Sequence, residues 1–377
     1  MGEALRVLVV SAAAGSRRLW ERAVAAVPGA AVVGAVATPR IGLVKAQAAG
    51  VDLVILDLDG TDISPSEAMD AWRAAHPAVE FLLTGERRDP AARKVAAALG
   101  KGALEFVARP PEEEAEEARV RQLQGRLGPL VGLCRSRRFA RQELAPAGFP
   151  EPGPRFGSAG TAMAEAPPAP SRLPGSGLPR VEAVLIAVST GGPEALGQVL
   201  PHLPAELGVP VIVVQHMPEA LSASLARDLG SRSGLPVRVP SPGDPVLPGA
   251  VYLAPGGRHL LVERATGEPS APTARRFATS DAPAENSVRP SADPLFRSAA
   301  SAYDGTVLAV VMTGMGADGL AGVRALKKGH CYCLTQTAET CAVYGMPRCV
   351  DDAGLADERV PLGRLAQRIA ALVAGRR

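Results

Sequence analysis

Short, nearly continuous apolar runs recur along this chain, each followed by a stretch of helical character. "LRVLVV", "AAVVGAVA", "VDLVILDLD", "VEFLLTG" and "ALEFVARP" succeed one another within residues 5–110, and "VEAVLIAV", "VPVIVVQ" and "TVLAVVMTG" come later. A strand with one wet face alternates polar and apolar residues, whereas a run apolar at every position has to be covered on both faces. Alternation of such strands with helices predicts parallel α/β sheets clad by helices. In the later part the spacing predicts strands at 182–188, 209–215, 250–254 and 307–313, another near 331–336, and helices at 193–200 and 218–230. Residues 262–290 are less regular and predict a hairpin or an exposed loop.

The two α/β regions are separated by a change of composition. "PEEEAEEARVRQLQGRL" reads as a charged helix with a solvated face. The Pro-, Gly- and Ala-rich stretch after it cannot bury enough apolar surface to order itself, and reads as a linker. The expected division is therefore a first domain at 1–110, the charged helix and linker at 111–178, and a second domain at 179–377. With 377 residues, 47% of them hydrophobic, there is material for two cores. A net charge of +3 and only 3% aromatics argue against nucleic acid as a partner. The first apolar run is too short for a signal or a membrane span, and no later run reaches ~18 apolar residues. Five cysteines form no disulfide framework, and the CxC at Cys331 and Cys333 reads as core thiols before it reads as zinc. A cytoplasmic location is expected, without membrane insertion.

Three strands of the second region end in chemically useful residues: "VEAVLIAV" in Ser189, "VPVIVVQ" in His216, and "TVLAVVMTGMGAD" in a glycine loop carrying Asp318. In a parallel sheet these ends share one edge, where open α/β folds place their crevice. A serine hydroxyl needs a base to take its proton, a histidine can take and return it, and a carboxylate fixes the imidazole tautomer. Gly191 and Gly192 permit a sharp turn after Ser189, and Pro193 suits the first helical turn, leaving the serine near helix N–H groups that can face negative charge. Each residue alone has a plainer reading: Ser189 and Asp318 as helix N-caps, His216 as a surface or capping residue. A rival motif also stands. Gly314, Gly316 and Gly319 fit G-x-G-x-x-G, with Glu339 about 20 residues on, as in a dinucleotide-binding loop.

The motifs "AVSTGGPEAL", "VVQHMP", "PGAVYLAPGGRHL", "VRPSADPLFRSAA", "VVMTGMGADGLAGV" and "YGMP" resemble, in order, the catalytic domain of the chemotaxis protein-glutamate methylesterases, the CheB family. The first region resembles the flavodoxin-like receiver domain of that family. The resemblance implies a doubly wound, mainly parallel-sheet catalytic domain with a triad of Ser189, His216 and Asp318. It further implies an oxyanion and substrate site shaped by Thr190, Gly191, Gly192, Met315 and Gly316, and no cofactor for the hydrolysis. The implied substrate is a glutamate γ-methyl ester on the cytoplasmic domain of a methyl-accepting chemoreceptor, with glutamine deamidation by the same acyl route. The implied further partner is a chemotaxis histidine kinase or another signalling protein. A non-catalytic regulatory scaffold is the alternative.

The resemblance places a phosphorylatable aspartate at Asp57 and a receiver switch at Thr84 and Arg109. The family's acidic pair after the first strand is here Ser11 and Ala12, and its lysine before the proline that follows strand five is Arg109, before Pro110. Magnesium takes oxygen ligands in near-octahedral array, and two carboxylates are missing. The expectation is a degenerate receiver without Mg²⁺, in which Asp57 is a poor phosphoacceptor.

Overall fold

The computed structural model describes residues 4–59, 63–86, 92–143, 180–265 and 274–375. The linker predicted from composition falls, from residue 144 to 179, outside the described residues.

The first domain alternates β1 (Leu5–Val10), α1 (Ala14–Ala25), β2 (Ala30–Val36), α2 (Pro39–Ala49), β3 (Leu53–Asp57), α3 (Pro65–Ala75), β4 (Glu80–Gly85), α4 (Ala92–Gly100), β5 (Glu105–Ala108) and α5 (Glu116–Glu143). The strands pair in parallel in the order β2-β1-β3-β4-β5. This is the flavodoxin-like doubly wound order, with its crevice at the carboxyl ends of β1 and β3. Local chemistry sets the helix starts. Ser64 and Glu67 form a reciprocal capping box before Pro65, and Thr38 accepts the Ile41 N–H before Pro39.

Successive residues of each strand feed opposite cores. Leu8, Val10, Val54 and Leu56 pack with Trp72 and Phe81, while Val7, Val9, Leu53 and Ile55 pack with Trp20. The second of these cores also takes Leu123, Leu127, Leu130, Val131 and Cys134 of α5. That i, i+4, i+7, i+8, i+11 stripe makes the charged helix amphipathic. Each buried leucine stabilises the contact by about 1.5–3 kcal/mol. The first domain therefore extends past residue 110 to include α5, because the polar face dominated the helix's composition while a narrow stripe decided its packing.

The second domain contains β6 (Val181–Val188), α6 (Gly192–Val199), β7 (Val211–Gln215), α7 (Glu219–Arg232), β8 (Val237–Arg238), β9 (Val251–Leu253), β10 (His259–Arg264), β11 (Arg275–Ser280), α8 (Ala292–Ala302), β12 (Thr306–Val311), α9 (Leu320–Leu326), β13 (Cys331–Gln336), α10 (Met346–Asp352), β14 (Glu358–Val360) and α11 (Leu362–Val373). The sheet order is β14-β13-β12-β6-β7-β9-β8, with parallel pairing throughout. The irregular region resolves into the antiparallel hairpin β10–β11. Val184, Ile186 and Val188 of β6 enter one core, and Leu185 and Ala187 the other. That is the physical content of its unbroken apolar run.

The domains touch. α4 packs on α6 and α7. Leu221 of α7 joins the first domain's core beside Leu99 and Ala103, and Met217 packs against cores of both domains.

Candidate active site

The strands that carry the three candidate residues are neighbours in the sheet, in the order β12-β6-β7. The chain leaves β6 toward β7 on one side, while β12 lies on the other, so the sheet's winding reverses at β6. Ligand crevices of open α/β sheets open at such a reversal. Val188 is in register with Gln215, so Ser189 and His216 leave the sheet side by side. The His216 N–H donates to the Val188 carbonyl, and the Gln215 side-chain amide donates to the carbonyls of both Ser189 and His216.

His216 Nε2 lies 2.6 Å from Asp318 Oδ2. Asp318 is 1% exposed, and its carboxylate is saturated with donors. Oδ2 also accepts the Ala292 N–H at 2.7 Å. Oδ1 accepts from Ser291 Oγ at 2.6 Å, Gly319 N at 3.0 Å, and Asp293 N and Asn286 Nδ2 at 3.1 Å each. Two of these donors, Ala292 and Asp293, are the first N–H groups of α8, where the helix dipole favours negative charge. Burial pushes the Asp318 carboxyl up, but the hydrogen bonds from His216, Ser291 and Ala292 outweigh it and hold the carboxyl below its ordinary value. Asp318 is thus kept ionised, facing His216 Nε2, while Nδ1 makes no hydrogen bond among the described residues.

Ser189 is half-buried at the start of the turn into α6. Among the described residues its hydroxyl makes no hydrogen bond, so the structure joins His216 to Asp318 and sets Ser189 beside them without closing the serine–histidine contact. Catalytic hydrogen bonds are often open before substrate arrives. The turn itself needs glycine. Gly191 has φ +76°, and a Cβ there would stand 2.3 Å from the Ala342 Cβ. Thr190 is buried, with its carbonyl accepting from Thr313 Oγ1. Met315 and Gly316 follow β12 on a loop whose Gly314 carbonyl accepts the N–H groups of Gly345 and Met346.

That last arrangement answers the rival reading of the glycines. A Cβ on Gly314 would lie 2.3 Å from Met346 Sδ and 2.8 Å from Ser189 Cβ, so the glycine permits close packing under the serine. The N–H of Gly319 is spent on Asp318. The loop serves the carboxylate and offers no cradle to a pyrophosphate. Ser291, Asn286 and Asp293, which position Asp318, were not singled out from the sequence. Their signal is the helix start within "NSVRPSADP", where Ser291 directly precedes α8.

The pocket in the first domain is equally well defined. Asp57 ends β3, is 1% exposed, and its Oδ2 accepts from Ser11 Oγ (2.6 Å), Arg109 Nη1 (2.7 Å) and Ser16 Oγ (2.8 Å). Arg109 also pairs with Asp59. Thr84 lies beside Asp57 in the β3–β4 register, its hydroxyl buried and unpartnered among the described residues. The receiver fold implies a divalent cation here, and these residues do not fit one: a guanidinium and two hydroxyl protons already converge on the carboxylate oxygen, and no acidic pair follows β1. Among the described residues, no group of three or more His, Cys, Asp or Glu side chains could hold a metal ion. All five cysteines are free, and burial pushes the Cys331 thiol up to about 12.

Residues 184–369 match the family model for the CheB methylesterase. A protein-glutamate methylesterase/protein-glutamine glutaminase of Desulfotalea psychrophila is 33% identical over 97% of each chain. Protein-glutamate methylesterase/protein-glutamine glutaminase 4 of Myxococcus xanthus is 37% identical over 98% of each. No helix among the described residues is long and apolar enough to cross a membrane. Similarity of this extent, running through both domains, means that the chain belongs to the CheB protein-glutamate methylesterase family.

Proposed function

We propose that this protein is a serine esterase that removes methyl groups from glutamate γ-methyl esters of chemoreceptors, and deamidates receptor glutamines by the same route, under the control of its first domain. The observation that carries this reading is the ionised, donor-saturated Asp318 bonded to His216 on the sheet rim beside Ser189. Ser189 Oγ attacks the γ-carbonyl as His216 takes its proton. The resulting oxyanion is met by backbone N–H groups at Thr190 and Met315–Gly316, since those of Gly191 and Gly192 donate to the Leu104 and Ser189 carbonyls. Collapse expels methanol, or ammonia from glutamine, protonated by His216. Water activated by His216 then cleaves the acyl-enzyme and returns a glutamate carboxylate. Asp318 stabilises the imidazolium in both halves. No metal or organic cofactor enters these steps.

In this reading the protein works in the cytoplasm, where a receptor's signalling helices lie, and its first domain answers a chemotaxis kinase or another signalling protein. Asp57 is a poor phosphoacceptor, since Arg109, Ser11 and Ser16 already occupy the oxygen that a phosphoryl group and its cation would need. Methanol release from a methylated receptor fragment tests the esterase. Ser189→Ala is expected to lower the rate by roughly 10⁴-fold or more. Release undiminished in that variant would end the proposal.

A further inference from the structure

A second histidine is buried in the second domain and has no part in the steps above. His259 opens β10, is 1% exposed, and pairs with Ser280, the last residue of β11. From Ser280 the chain runs through residues 281–291 to the start of α8, and this loop carries Asn286 and Ser291, two of the donors to Asp318 Oδ1. Asn286 and Ser287 have φ of +54° and +63°, in the left-handed region that residues with a Cβ disfavour. Backbone of this kind persists only where the surroundings over-determine it.

Three consecutive residues hold the loop. The Gly257 N–H donates to the Arg289 carbonyl at 3.1 Å. Arg258 binds the Asp281 carboxylate at 2.8 and 2.5 Å, but that pair is exposed and so fixes little. His259 Nε2 lies 3.1 Å from the Pro283 carbonyl, and Nδ1 accepts the Ser291 N–H, also at 3.1 Å. A carbonyl can only accept and a backbone N–H can only donate, so both are hydrogen bonds in a single tautomer, with the proton on Nε2. One buried ring therefore joins an early and a late position of the loop. Of the three residues, it alone reaches a group that itself bonds Asp318.

We propose that His259 is a positioning residue of the esterase: by fixing the Ser291 backbone it sets Ser291 Oγ against Asp318 Oδ1, and through Asp318 it sets the bearing of His216. The inference rests on the esterase reading and deepens it by extending the triad backward through Ser291 to a second imidazole. If Ser291 shifts, Oδ1 loses its 2.6 Å donor, the carboxylate is free to turn about its Cβ–Cγ bond, and His216 Nε2 follows Oδ2. Misplacing a reacting group by about 1 Å can cost roughly 100-fold in rate.

The test compares the full chain as wild type, His259→Asn and His259→Gln. The asparagine carbonyl stands in for Nδ1 and keeps the Ser291 bond, whereas the glutamine amide stands in for Nε2 and keeps the Pro283 bond. Both lose the ring, so a merely structural role would weaken them alike. In His259→Asn the Ser291 amide should exchange as slowly as in wild type, with kcat for methanol release from a methylated receptor fragment within about threefold. In His259→Gln that amide should exchange at least about tenfold faster, with kcat roughly 10–100-fold lower and KM within about twofold. In a Ser291→Ala background the glutamine substitution should lower kcat by less than about threefold, since the hydroxyl it misplaces is gone. Equal kcat losses in the two variants would overturn the role of His259, as would an undiminished loss in the Ser291→Ala background. If the glutamine variant has no cooperative urea transition, His259→Asn carries the test: a kcat loss above about tenfold with Ser291 exchange still slow overturns the role. Absence of Ser189-dependent methanol release in wild type would show the fault to lie in the esterase reading, and the role would fall with it.

Discussion

Replacing Asp318 by asparagine changes one atom and keeps the shape, yet every donor around it points the wrong way for an amide. With the new NH₂ at the Oδ1 position, it would face Ser291 Oγ, Asp293 N, Asn286 Nδ2 and Gly319 N. At the Oδ2 position it faces only Ala292 N and His216 Nε2, so the amide settles there. His216 then has to accept at Nε2, which moves its proton to Nδ1, the nitrogen needed to deprotonate Ser189. A histidine held in the wrong tautomer lowers kcat by roughly 10⁴-fold, about 5.4 kcal/mol of transition-state stabilisation. The Ala292 N–H loses a charge-assisted bond, and folding should lose about 2–3 kcal/mol. Because the native carboxyl lies below its ordinary value, its contribution to stability is full above the unfolded value of about 3.9 and fades as pH falls through the folded value. The stability gap between wild type and Asp318→Asn should therefore narrow in acid. Single-turnover methanol release and urea unfolding at pH 7 and pH 3.5 measure both effects. A variant within tenfold of wild-type kcat would refute the tautomer reasoning, and a gap that widens in acid would refute the electrostatic part.

Two further outcomes follow from packing. Arg109→Ala leaves the buried Asp57 carboxylate with two hydroxyls and the Asp59 N–H as donors and no cation, and should destabilise the first domain by about 3 kcal/mol, the low end for a broken buried ion pair. Adding Asp57→Asn should recover much of that loss in a urea double-mutant cycle, and strictly additive effects would contradict the pairing. Gly256→Ala would put a Cβ 2.5–2.6 Å from the backbone of Glu219 and Pro218 at the start of α7, a clash no side-chain rotation relieves. It should cost about 1–3 kcal/mol, and an unchanged urea midpoint would count against so close an approach of these two segments.

Much of this was legible from residue types alone. Strands buried on both faces, the parallel α/β class and the strand-end positions of Ser189, His216 and Asp318 follow from apolar runs and from the rule that parallel strands share an edge. The motifs carried the family. The role of α5 was obscured because a helix with charged residues on most of its surface still buries a stripe as narrow as Leu123, Leu127 and Leu130. Ser291 and Asn286 were hidden for a different reason: a helix-start serine and a loop asparagine become positioning groups only when the start of α8 meets the loop after β12, where Asp318 lies about 30 residues on in sequence.

The sequence by itself determined the layers, the strands and the chemical inventory, because burial periodicity and backbone preferences are local. Only the tertiary structure decided that Asp318 would be held ionised by convergence of six donors. It likewise decided that Arg109 would stand against Asp57 where a cation would otherwise be needed, and that Glu105 would lie against Thr190. Those facts depend on distances between residues far apart along the chain, and such distances are set by how the sheets and helices pack.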